Sequence, residues 1–142
     1  MKDSKDLLGS LLKTTQMGQV GIRSLLDTSM DAALRQALES QLREYDAIET
    51  EAHSLADRRG WELTDLDPAV RFLADRIARA RVTGRQTDTK IAAMMIRGNT
   101  SGMIKGLKNM HQYEGQDVPV RILSQKLLDC ERANIRQMQQ FL

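Results

Sequence analysis

An all-α fold built from four helices is what this sequence of 142 residues predicts, and three observations carry it. Ala, Leu, Met, Gln, Arg and Glu dominate, all strong helix formers. Only two prolines occur, and both fall near expected helix starts. Apolar residues recur at alternating spacings of three and four over long stretches, which puts them on one face of a helix. With 41% apolar and 28% charged residues, the chain suits one globular domain over residues 1–142 with a real core.

The first helix is expected from Ser4 to Leu26, with Leu8, Leu12, Thr15, Gln19, Ile22 and Leu26 on its seam. That seam is polar in the middle, at Thr15 and Gln19. Gly18 and Gly21 weaken the helix, so they predict close approach of a neighbour. Thr28-Ser29-Met30-Asp31 reads as a capping box with Thr28 as the cap, opening a second helix that runs to Arg59. Its seam is Leu34, Leu38, Gln41, Tyr45, Ile48, Ala52 and Leu55. Two arginines and Gly60 close it. The short loop between these helices predicts an antiparallel hairpin.

After the link Trp61–Leu66, Asp67-Pro68 starts a third helix. Leu73, Ile77, Ala80, Gly84, Thr87, Ile91, Met94 and Gly98 keep one stripe in phase, so a single helix is expected across Gly84. From Asp67 to Arg97 it would span roughly 45 Å. A kink or break is expected at Gly98–Gly102, after which Met103, Ile104, Leu107 and Met110 resume. A turn at Glu114–Gln116 precedes the last helix, which starts near Asp117 with Leu123, Leu127, Leu128, Glu131, Ile135, Met138 and Leu142 inside. Four helices in two hairpins make a bundle.

Composition also excludes functions. One cysteine, Cys130, leaves no internal disulfide and too few thiolates for a zinc cluster. The N-terminus does not read as a signal peptide and no run approaches the length of a membrane span, so a cytoplasmic protein with no membrane partner is expected. A net charge of +2 implies no polyanionic partner. Charge is unevenly divided, however. Residues 68–97 carry seven basic groups against Asp75 and Asp88, while residues 39–51 carry five acids against Arg43. Complementary helices, within or between chains, explain this better than a nucleic-acid site, because no aromatics interleave the arginines.

Met94-Met95-Ile96-Arg97-Gly98-Asn99-Thr100-Ser101-Gly102-Met103-Ile104 resembles a signature found in small uncharacterised bacterial proteins of the ferritin-like class. So do Arg43-Glu44-Tyr45 and Glu131-Arg132-Ala133-Asn134-Ile135. The resemblance covers nearly the whole chain, brings no activity with it, and implies a ferritin-like four-helix arrangement. Ferritin-like catalysts hold two metals with glutamates from two helices and Glu-x-x-His from the other two. Here the first helix offers Gln16 and Gln19, the second Gln41-x-x-Glu44, the third at best Asp88, and the fourth Glu131-x-x-Asn134. Both histidine positions are missing, so no di-metal centre and no cofactor are expected. The alternative is a noncanonical iron or manganese or redox site using Glu44, Glu131 and either Asp88 or Glu49, the last paired with His53 one turn on.

Cys130 reads as a small buried hydrophobe, His111 as solvated, and Met94, Met95, Met103, Met110 and Met138 as core filling. Gly98–Gly102 reads as a packing and bending element ahead of an anion-binding loop. Gln19, Gln41, Glu44, Tyr45, Glu131 and Asn134 lie on or beside inner stripes near mid-helix, so they are expected to form a closed, buried polar layer that fixes helix register. The function expected is protein–protein association, as a homodimer or with another protein, without enzymatic activity.

Overall fold

The computed structural model describes residues 2–142. They form five α-helices: α1 (Ser4–Arg23), α2 (Ala32–Arg59), α3 (Pro68–Arg81), α4 (Thr87–His111) and α5 (Val118–Gln139). Among the described residues the only β-type pairing is an isolated bridge between Lys2 and Tyr113. The four long helices pack around a common core in the cyclic order α1, α2, α5, α4, and α3 lies against α1 with a lesser contact to α4. Leu8, Leu12, Ile22, Leu34, Leu38, Ile48, Ile91, Leu123 and Met138 fill the core and are all essentially solvent-free. Burying one such aliphatic side chain contributes about 1.5–3 kcal/mol.

The helix starts follow local chemistry. Asp3 and Asp6 form a reciprocal capping box on α1, and Asp67 and Asp117 cap α3 and α5 just ahead of Pro68 and Pro119. Gly60 ends α2 in the left-handed region, with φ 68°. The expected cap of α2 is corrected: Asp31, not Thr28, accepts from the amides of Ala33 and Leu34. The segment before it is held instead by Arg35, which donates to the carbonyls of Leu26 and Thr28. That arrangement turns the chain after Arg23, three residues earlier than expected.

The expected four-helix count is also corrected. The long third helix is two helices, and the break falls at Val82–Gln86 rather than at Gly98–Gly102. Gly84 (φ 91°) and Gln86 (φ 57°) both take left-handed backbone there, which no α-helix can accommodate. Helix α4 then runs unbroken through Gly98 and Gly102.

The break changes which side of α3 is covered. Ala78 and Val82 are buried and Arg71, Ala74 and Asp75 half-buried, so these residues define the side facing α1. The apolar stripe Val70, Leu73, Ile77 and Ala80 faces away, with Leu73 60% exposed. Phe72, 63% exposed, lies under the guanidinium of Arg76. The stripe that continues the core pattern in sequence therefore stands on solvent.

Candidate functional site

Polar side chains cross the middle of the helices in three groups. The central one joins α2, α4 and α5. Tyr45 reaches from α2 across the core to α4, where its hydroxyl donates to Asn99 Oδ1 at 2.8 Å. Asn99 in turn donates to the Met95 carbonyl one turn back, at 2.8 Å, so its amide is fixed in orientation. Gly18 of α1 gives the tyrosine ring its place: a Cβ there would sit 2.7 Å from the ring.

From α5, Glu131 enters the same region. It is 2% exposed, and its Oε2 has no hydrogen-bond partner. Its carboxyl lies against Gly102 of α4, where a Cβ would come within 2.8 Å of Oε1. Loss of water without compensating donors pushes its pKa up to about 8. Burial therefore favours its protonated form. Beside it, Cys130 is half-buried and donates to Glu44 Oε2 at 2.8 Å, while Asn134 Nδ2 approaches its sulfur at 3.7 Å. Burial, and then the Glu44 carboxylate, push the thiol well above its ordinary range. Burial also raises the Tyr45 phenol, with Glu131 adding to the effect. Burial thus favours the protonated form of all three groups.

The second group lies between α1, α2 and the connection to α3. Gln16 is fully used: its Nε2 donates to Glu49 at 3.0 Å and Asp65 at 2.8 Å, and its Oε1 accepts from the Leu66 amide at 2.7 Å. Gln19 donates to Asp46 at 2.8 Å and Glu49 at 3.2 Å. Arg23 completes the group by pairing with Asp46. Third, Gln41 of α2 donates to Gln137 of α5 at 2.9 Å.

The structure thus gathers Glu44, Tyr45, Glu131 and Asn134 around Cys130 and Asn99, and places Gln19 and Gln41 in separate groups with partners of their own. Glu44 is exposed, contrary to the expected burial, and Cys130 is a hydrogen-bond donor rather than a mere hydrophobe. Asn99 was legible only as part of a glycine-flanked segment. Its position four residues after the buried Met95 and seven after the buried Ala92, on one face of α4, is the signal that would have placed it inside. Because residues 98–102 are helical, their amides are spent on the helix and form no anion-binding loop.

Of the alternative metal ligands, Glu44 and Glu131 share the central group, and the others lie apart from it. Asp88 accepts from the Asp31 amide at the start of α4, roughly 16 Å along the helix from Asn99. His53 and His111 are exposed, and Glu49 serves the two glutamines. Among the described residues no three His, Cys, Asp or Glu side chains are placed to hold one ion. The residues present do not fit a carboxylate-bridged pair of metals. The central group links α2, α4 and α5 through the Tyr45–Asn99 and Cys130–Glu44 hydrogen bonds.

In comparisons with known proteins, no family model, curated sequence or solved structure matches this chain. No helix is long and apolar enough to cross a membrane among the described residues.

Proposed function

We propose that this protein is a ferritin-like bundle of four long helices with a short fifth, and that it works by protein–protein association, as a homodimer, and not by metal chemistry. One observation carries the reading: α3 turns Val70, Leu73 and Ile77, with Phe72 at the edge, toward solvent on the side opposite its packing contact with α1. Contiguous exposed apolar surface on a soluble domain is characteristic of an interface. Charge supports a second copy as the occupant. Arg76 and Arg81 accompany the stripe and Glu39 stands on α2, all three without an ion pair among the described residues, whereas Glu44, Asp46, Glu49 and Glu51 already have partners within the chain.

Light scattering is expected to give twice the 16.0 kDa chain mass, and Leu73→Glu with Ile77→Glu is expected to return the monomer. Both side chains are exposed, so helicity should not change. A wild-type monomer at tens of micromolar (roughly the range where a weak dimer still forms) would overturn the reading. Cosedimentation with anionic vesicles that is lost in the same variant would replace the second copy by a lipid surface. The alternative of iron or manganese held by Glu44 and Glu131 is tested by metal analysis. Stoichiometric metal that disappears in Glu131→Ala would favour it.

A further inference from the structure

A groove of about 410 Å³ opens beside the first three turns of α1, walled by the α2–α3 connection and by α4. Four of the chain's seven lysines line it, and no arginine does: Lys2, Lys5, Lys13 and Lys105. Among the described residues none of these four ammonium groups forms an ion pair or a hydrogen bond with the protein. Lys90 and Lys126, by contrast, are engaged by the Thr83 carbonyl and by Glu51. Two acids share the lining, Asp6 (which also caps α1) and Glu62, which leaves an excess of two positive charges, four against two. Like charges around a concave space raise its positive potential, and a bound anion relieves that repulsion.

The floor is shaped to admit something. Lys5, Gly9 and Lys13 follow one another at steps of four on one face of α1. A glycine inside a helix costs about 1 kcal/mol relative to alanine. No packing neighbour requires it here, since a Cβ at Gly9 would meet nothing within 4 Å. Its absence instead leaves open space between the two lysines, with Ser10 and Thr64 among the lining residues.

The walls are held by the chain's own hydrogen bonds. The connection is anchored on α1 by Leu66 and Asp65 to Gln16, and on α2 by the Trp61 amide to the Ala56 carbonyl at 2.9 Å. Lys2 is fixed by its own backbone, which pairs with Gln112 and Glu114. Such preorganisation reduces the entropy lost on binding. The volume is that of a small-molecule site.

We propose that this groove binds a small phosphorylated ligand carrying two or more anionic groups, with Lys5, Lys13 and Lys105 as its principal contacts. Lysine suits phosphate as a point charge. The proposal is independent of how α3 associates.

Inorganic tripolyphosphate, titrated calorimetrically into the full chain at about 0.15 M salt, where long-range surface attraction is screened, is expected to saturate one site per chain. Lys5→Glu and Lys13→Glu are each expected to weaken it by about tenfold or more. Gly9→Phe fills the open space and should weaken binding comparably while leaving the melting temperature within a few degrees. Arg136→Glu changes the net charge equally on an exposed face of α5 and should leave affinity unchanged. Failure to saturate together with no vesicle binding that depends on Gly9, or equal weakening by Arg136→Glu, overturns the site in favour of diffuse charge. Phosphatidic acid vesicles form a second arm. Vesicle binding that Gly9→Phe abolishes, with tripolyphosphate inert, supports the site and identifies a lipid headgroup as the phosphate source.

Discussion

Glu131→Gln is expected to stabilise the protein increasingly as pH rises, by an amount on the order of 5 kcal/mol above pH 8 relative to pH 4. Burial lifts the folded-state pKa of this acid from 4.5 to about 8. Between those values the folded protein keeps a proton that the unfolded chain has lost, so stability falls as pH climbs through the window. Below it both states are protonated and the group exerts no pH-dependent effect. Above it both are ionised and the full cost of a buried, unpaired carboxylate remains. Glutamine does not titrate, and whatever its amide costs beside Gly102 is the same at every pH. Urea unfolding of both proteins at several pH values between 4 and 9 reads the divergence directly. Parallel curves would show that Glu131 ionises as freely in the folded state as in the unfolded one.

Gly18→Ala and Gly21→Ala are expected to act in opposite directions although they sit one turn apart on α1. A Cβ at Gly18 would lie 2.7 Å from Cε2 and Cζ of Tyr45. That ring is 3% exposed and its hydroxyl is tied to Asn99, so it cannot retreat without breaking a buried hydrogen bond. Overpacking costs about 1–3 kcal/mol, and an unpaired buried polar group adds about 1–3 kcal/mol. The gain in helix propensity, about 1 kcal/mol, offsets only part of this. A Cβ at Gly21 would meet nothing within 4 Å, so that variant should be more stable than the parent by up to about 1 kcal/mol. Thermal melts separate the two. Equal stabilisation by both would mean that the ring moves aside freely.

The contrast between those glycines shows what a one-dimensional pattern can report. The sequence marks both as departures from helix propensity, and only the partner across the interface distinguishes them. Periodicity located α1, α2 and α5 to within a few residues because their stripes face the core. It misplaced the break in the third helical stretch for a definite reason. Counting from Leu73 to Ile91 keeps phase in residue number, but Gly84 and Gln86 rotate the chain between α3 and α4. Spacing also shows that Val70, Leu73 and Ile77 share a side, not whether another helix covers it. Within the central polar group, Tyr45, Glu131 and Asn134 were legible as polar residues on inner stripes. Asn99 and the Glu44–Cys130 pair were not, because which helices meet there is a property of tertiary packing.

The α3 segment is the least anchored helix of the molecule. Of its own residues only Ala78 is buried. What else holds it is largely surface chemistry: Arg79 with Asp27 and Asp75, and Arg71 with the Leu66 carbonyl. Exposed pairs of this kind contribute about 0–1 kcal/mol each. Left-handed turns at Gly60 and at Gly84–Gln86 bracket the segment. Residues 68–81 are therefore expected to open locally while the core stays closed, with amides that exchange with deuterium well before those of α1 or α5. Since the stripe sits on this unit, whatever covers it must also hold α3 in its folded form. Slowed exchange across α3, with no change at Leu8 or Leu123, would be the earliest sign that the stripe has found its partner.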